Sequence, residues 1–319
     1  MARCRGALAR LRSGLAVVAA AAIGSLALGT AAAGEATRVP GTSVRLEPPP
    51  GFVAADRFPG FAHKESQSSI QVTVVPGPIA EVRKGLTKEG LAKNGMALVS
   101  QSVAKVNEQF GLLVHVRQTA NDVTFAKWIL VAGDEKATVL IVASTPAPAP
   151  EPIRTALTNA LLGARWDPAA PVDLFEGLPF RLVPSGTLTE TKRMGPMLLL
   201  TEPGKPGVGV ERAVYVAGVS SGDAPDAPLA KFAAGRATQT AATKDLENVR
   251  GVASEVAGRE AYELLADAKD ARSSAPVLLY QVVVRDGTGY WIVQGIVAAE
   301  RAAECLPLFR RITASITSP

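Results

Sequence analysis

The sequence predicts an α+β protein of two tandem domains, each an antiparallel sheet with helices packed on it. Three observations carry this. One order of elements (strand, strand, helix, meander of strands, closing helix) occurs twice along the chain. Each copy holds a long apolar hairpin closed by a tight polar turn, and each then ends in an amphipathic helix. Hydrophobic residues make up 47 % and charged residues 20 %, which excludes disorder, and 319 residues leave ample core for two domains.

The first copy, residues 34–167, opens with a strand at Val44-Arg45-Leu46 and a second at Ser69-Ile70-Gln71-Val72-Thr73-Val74-Val75, whose alternation and β-branching mark a half-buried strand. A helix is expected over 80–93, stopped by Asn94-Gly95. Strands follow near 96–106 and 111–119. Then comes the hairpin Lys127-Trp128-Ile129-Leu130-Val131, turn Gly133-Asp134-Glu135-Lys136, and Ala137-Thr138-Val139-Leu140-Ile141-Val142. A helix over 152–162 repeats Ile153, Leu157 and Leu161. Residues 168–173, proline-bearing and without periodicity, read as a linker.

The second copy, residues 174–319, starts at Leu178-Pro179-Phe180-Arg181-Leu182 and continues through apolar runs at 197–200 and 213–217. A helix over 228–240 begins with Pro228 in its first turn. A strand near 249–256 leads to the matching hairpin, Leu278-Leu279-Tyr280-Gln281-Val282-Val283-Val284 and Tyr290-Trp291-Ile292-Val293, around Asp286-Gly287-Thr288-Gly289. Leu306, Phe309, Ile312 and Ile316 give the terminal helix its stripe. Setting Asp134 over Asp286 puts Trp128 on Tyr280.

The formal charge of +5 invites a nucleic-acid or membrane reading, and its location decides against one. Arg3, Arg5, Arg10 and Arg12 precede a 14-residue apolar run at 15–28, and Ala31-Ala32-Ala33 follows as a small-residue cleavage site. This is the pattern of a signal peptide over 1–33, with a core too short to span about 30 Å of hydrocarbon. Its removal leaves 30 basic and 29 acidic residues, a net charge of +1. The basic residues that remain are dispersed, so no nucleic-acid partner is expected, and no membrane span after cleavage. A periplasmic or secreted location is. Cys4 leaves with the leader, so Cys305 stands alone; beside the helix stripe it is read as a packed small hydrophobe.

The stretch Leu46-Glu47-Pro48-Pro49-Pro50-Gly51-Phe52, the helix end Leu91-Ala92-Lys93-Asn94-Gly95-Met96, and Trp128-Ile129-Leu130-Val131 before the closing helix resemble the PsbP-like superfamily. That superfamily also holds the Ran-binding Mog-type and DcrB-type periplasmic proteins. The resemblance covers most of 40–165 and, more faintly, 178–317. It implies an α/β/α sandwich, usually without catalytic residues, used for docking to protein partners or as a chaperone or adaptor. This chain departs from the single-domain form by carrying two copies, the second without the Pro-Pro-Gly-Phe signature.

No catalytic, cofactor-binding or metal residues are assigned, and no cofactor is expected. The two histidines, His63 and His115, lack HxH or HExxH spacing, so a metal site would need both together with Glu65 or Asp122. A strand histidine on a solvated face is the plainer reading of His115. There is no G-x-S-x-G elbow, and Gly204-Lys205-Pro206-Gly207-Val208-Gly209 lacks the phosphate-loop spacing and reads as a loop. Asp134-Glu135 and Glu260 with Glu263 read as solvated acids. Trp128 and Trp291 sit in apolar strands and read as core, whereas Trp166, beside the linker, is the one expected to bridge domains. The leading expectation is a non-enzymatic binding or adaptor protein whose sheet face or helix groove docks an envelope protein. A carrier of an apolar or lipid ligand is the alternative, and a hydrolase with an unrecognised site, needing a cleft with His63 or His115 and a polar partner, is the third.

Overall fold

The computed structural model describes residues 35–204 and 210–319 except 108, 121, 221 and 225; the expected signal peptide and residues 205–209 of the glycine-rich loop lie outside the described residues. In the first half, β1 (Thr37–Arg38), β2 (Val44–Leu46), β3 (Val53–Ala54), β4 (Gly60–His63) and β5 (Ser68–Pro76) precede two short helices, α1 (Ile79–Lys84) and α2 (Lys88–Ala92). Strands β6 (Met96–Val106), β7 (Gln109–Ala120), β8 (Val123–Gly133) and β9 (Ala137–Pro146) form the meander, followed by α3 (Glu151–Leu162) and β10 (Arg165–Trp166). The second half runs β11 (Glu190–Met194), β12 (Met197–Thr201), β13 (Val214–Val219), α4 (Leu229–Thr238), β14 (Thr243–Val256), β15 (Arg259–Asp270), β16 (Pro276–Asp286), β17 (Gly289–Ala298) and α5 (Ala302–Ala314).

Two seven-stranded antiparallel sheets result, ordered β3-β4-β5-β9-β8-β7-β6 and β11-β12-β13-β17-β16-β15-β14. Substituting strand for strand turns one order into the other, so the halves share one topology. Each sheet carries helices on both faces. In the first, Leu157 and Leu161 of α3 bury against Trp128, Leu130 and Ile141, while Leu86 and Leu91 cover Val114, Ile129 and Val131 from the other side. Successive residues of β8 thus serve opposite cores, which is why 128–131 reads as an unbroken apolar run. In the second, Phe309 and Ile312 of α5 pack on Tyr215, Tyr280 and Trp291, and Ala233 and Ala237 of α4 lie over Val283 and Leu279. The α+β class and the tandem α/β/α sandwiches are what the structure contains.

Several elements differ from expectation. The helix over 80–93 is broken after Lys84 because the Thr87 hydroxyl accepts from Gly90 N and starts a new helix. Residues 178–182 make no strand beyond an isolated bridge, Arg181 to Thr317, though Phe180 and Leu182 are buried. Strand β11, whose Glu-Thr-Lys-Arg sequence carries no apolar alternation, was not foreseen. Pro49-Pro50-Gly51-Phe52 is a tight turn: Phe52 N donates to Pro49 O at 3.1 Å and Gly51 takes φ +81°, the conformation that requires glycine at the third position.

Within residues 35–319 a polar clasp joins the halves. Arg38 on β1 forks onto the Glu176 carboxylate at 2.6 Å on both arms, and Gly41 N donates to the same group. Arg57 donates to Asp223 at 2.7 Å and to Thr288 at 2.8 Å. Arg193 of β11, buried, donates within its own half to the carbonyls of Gly195, Leu174 and Glu176, and its head group lies against Gly41 of the first half. The β11–β12 turn at Gly195 meets Thr73 on the face of β5.

Candidate functional site

His63 ends β4, and its Nδ1 lies 2.7 Å from Ser66 Oγ across the turn to β5. Ser66 passes a hydrogen bond to Ser68, and Ser68 to Thr145 on β9, so this chain of hydroxyls fixes the hairpin to its neighbour. The ring also stacks on Phe52 with centroids 5.3 Å apart, behind the Pro-Pro-Gly turn. His115 sits on β7, and β4-β5-β9-β8-β7 puts four strand spacings of about 4.8 Å between the two, or about 19 Å. The structure therefore does not bring His63 and His115 together with Glu65 or Asp122, which sit in the β4–β5 and β7–β8 turns. Among the described residues no three His, Cys, Asp or Glu side chains gather as a metal-binding set.

His115 corrects the expectation of a solvated face. It is half-buried on the α3 side of the sheet, stacked on Trp128 at 4.8 Å and 10°, with Nε2 buried and unpartnered. Beside it lies an open cleft of about 430 Å³ lined by Arg154, Thr155, Thr158 and Asn159 of α3. Burial first, then the positive charges of Arg117 and Arg154, push its pKa below the ordinary 6.5. As pH falls through about 6.5 the unfolded chain takes up this proton before the folded one does, so folding stability drops below that pH and levels off beneath the folded pKa. Melting curves between about pH 7 and about pH 5 are expected to show this slope, and His115→Gln to flatten it; an unchanged slope would assign the pH dependence elsewhere.

The other residues weighed in the sequence have structural work. Trp166 does not bridge the halves: it is buried in the first-half core, pairs with Val44 and donates from Nε1 to Ser43 Oγ at 3.1 Å. Trp128 and Trp291 are core, and Trp291 Nε1 donates to Asp286 at 2.7 Å. Glu263 and Glu260 are not merely solvated, since Arg310 of α5 holds the first at 2.6 Å and Arg285 the second at 2.9 Å. Asp134 closes its hairpin by accepting from Lys136 N and Ala137 N, which lowers its pKa. Cys305, on α5, is fully buried against the second-half core.

With helices on both faces of each sheet, the strand edges are where backbone is left unpaired. Strand β6 pairs with β7 on one side and ends the sheet on the other. After a bulge between Leu98 and Ser100, residues 100–106 run in unbroken register with 109–115. Residues 97–104 contain no charge and no proline. Val103 is 72 % exposed and Phe110, on the same face beside Lys105, is 68 % exposed. Natural edges are normally blunted by charge, proline, bulges or brevity; β6 has one bulge and Lys105 near its end, and the other three edges of the two seven-stranded sheets are blunted more heavily. Strand β14 has two register shifts, left-handed Asp245 and Asn248, and charges at Lys244, Asp245, Glu247, Arg250 and Glu255. Strand β3 has two residues, and β11 carries Glu190, Lys192 and Arg193. The strand near 96–106 is where the sequence places it; its open edge is what faces and grooves do not disclose, and the uncharged run 97–104 is the available signal.

Among the described residues no helix is long and apolar enough to cross a membrane. No protein-family model and no curated protein matches the chain. Among solved structures, LpqN of Mycobacterium tuberculosis, described as involved in cell envelope biogenesis, overlaps at 16 % identity, 44 % of this chain, 79 % of its own and a TM-score of 0.29. The immunity protein TplEi of the type VI secretion system of Pseudomonas aeruginosa overlaps at 12 % identity, 88 % of this chain, 95 % of its own and a TM-score of 0.32. A chain of the Tle4–Tli4 complex overlaps at 12 % identity, 84 % and 97 % coverage, and a TM-score of 0.33.

Proposed function

We propose that the chain is an exported, non-enzymatic binding or adaptor protein that takes an extended segment of an envelope protein as an added strand on β6. The open edge of β6, uncharged over 97–104, is the observation that carries this reading: strand addition draws its affinity from main-chain hydrogen bonds and its specificity from side chains beside the edge, here Val103 and, on β7, Phe110. In this reading residues 1–33 are the leader, 34–167 the binding domain, 168–173 the linker and 174–319 a second domain of the same plan whose edge is closed by charge. The resemblance of 40–165 to the PsbP-like superfamily points the same way.

A photo-crosslinking residue at Val103 is expected to capture one partner in the intact envelope, and the same residue at Val249 on β14 to capture none. With that partner purified, the amides of 96–106 should gain protection from hydrogen exchange. Ser102→Lys with Val103→Lys, both exposed, should weaken binding by about tenfold or more at an unchanged melting temperature. Equal capture from both edges, protection elsewhere, or undiminished binding by the lysine variant would remove the reading.

A further inference from the structure

The second-half sheet is covered unevenly on its α4 face. Helix α4 lies over β15, β16 and β17, and beyond it β12 and β13 present Leu199, Val214 and Val216 on the same face as Ile296 of β17. These side chains floor a cleft of about 470 Å³, walled by Met194, by residues 240–242 leaving α4, and by the β15–β16 turn at Asp270, Ala271 and Arg272. The volume falls within the range of about 300–1,000 Å³ typical of small-ligand sites. The equivalent strand of the first half, β5, turns Gln71 and Thr73 to this face and has the β11–β12 turn laid against it at Gly195. The repeat thus shows the same face twice, once polar and covered, once apolar and open among the described residues.

Most of the polar groups at this cleft are engaged with one another or with their own loops. Gln294 Nε2 donates to Thr240 Oγ1 at 2.7 Å and to Gln281 Oε1 at 3.0 Å, and Gln281 donates to Ala233 O at 2.7 Å. The Asp270 carboxylate turns into its own loop, accepting from Arg272 N, Ser273 N and Ser273 Oγ. The Arg272 side chain, exposed at the mouth, makes no ion pair among the described residues, and Lys244 Nζ reaches the same turn at Ala271 O, 3.4 Å away. An apolar floor whose amide nitrogens are already engaged, with Arg272 at the rim and Lys244 behind it, suits a hydrocarbon chain ending in a negative charge.

We infer that this cleft binds a single acyl chain with an anionic head, the chain over Leu199, Val216 and Ile296 and the head against Arg272 and Lys244. The purified full-length chain, titrated with the fluorescent fatty acid cis-parinaric acid, is expected to bind one molecule saturably. Arg272→Glu, on an exposed side chain, should weaken this by about tenfold and leave a neutral monoacylglycerol unaffected. Val216→Trp, which fills the floor, should weaken both ligands by about tenfold or more. Displacement of the probe by lysophosphatidylglycerol at lower concentration than by palmitate names a lipid headgroup as the natural source, and the reverse order a free fatty acid. Non-saturable uptake, equal binding by Arg272→Glu, or equal binding by Val216→Trp overturns the inference. The lysine variant of β6 should bind the probe like the parent, which separates this site from the edge.

Discussion

Thr313→Val is expected to lower the free energy of unfolding by about 3 kcal/mol, measured by urea denaturation, although it exchanges one hydroxyl for a methyl of the same shape. Thr313 Oγ1 donates to Phe309 O at 2.9 Å and accepts from the Tyr280 and Tyr215 hydroxyls at 2.9 and 3.0 Å, which exhausts its one donor and two lone pairs. Both phenols are fully buried between β13, β16 and α5; Tyr215 has no second hydrogen-bond partner among those described, whereas Glu263 lies within reach of the Tyr280 hydroxyl. Valine therefore strands the Tyr215 donor, at about 1–3 kcal/mol before relaxation, and leaves Tyr280 only Glu263. Tyr280→Phe and Tyr215→Phe each leave the threonine a remaining partner and are expected to cost about 1 kcal/mol. Burial also raises both phenol pKa values. Their contribution is complete below the unfolded value of about 10 and is lost as pH rises above it, because the unfolded chain sheds those protons first. A Thr313→Val protein that unfolds with the parent would show that the triad carries no stability.

Arg193→Met should be nearly as severe, at about 3 kcal/mol, and should act on the joint between the halves. Arg193 is 9 % exposed and serves three carbonyls of its own half, two of them at 174 and 176 just after the linker. Burial pulls its pKa down to about 10, so it stays charged at neutral pH and needs every acceptor it has. It lies against Gly41, whose φ of +68° and missing Cβ leave room for the head group. Methionine keeps the stem and loses the fork. Lysine supplies the charge with a single point of donation, so Arg193→Lys is expected to recover only part of the loss. Intrinsic tryptophan fluorescence reads Trp128 and Trp166 in one half and Trp291 in the other. In the parent these should report one transition, and in Arg193→Met a broadened or split one. A single transition at the parental midpoint would show that Arg193 does not hold the halves together.

The two features differ in how far a sequence can disclose them. Phe309, Ile312 and Ile316 reveal α5 by spacing, and 128–131 reveals a doubly buried strand by its unbroken apolar run, because both signals are local periodicities. The helix over 80–93 failed because Gly85 and Thr87 offer a stop and a new cap inside one apolar pattern, and capping outweighed periodicity. Arg193 and Glu176 could not be found at all: their meaning lies in contacts with Gly41 and Arg38, more than a hundred residues away. Trp166 was misplaced for the same reason, since its partner Ser43 lies at the other end of the first half. The cleft beside α4 is equally non-local. Its floor residues look like ordinary core in sequence, and only the reach of α4 decides that they are left open.

Valence follows from the asymmetry between β6 and β14. A sheet with two open ends is a link that can be joined on either side, and copies of it can grow end to end without limit. Charging and kinking one end turns the link into a terminus. A chain with a single receptive end adds one strand and stops, and if two copies meet through that end they close as a symmetric pair with nothing left to extend.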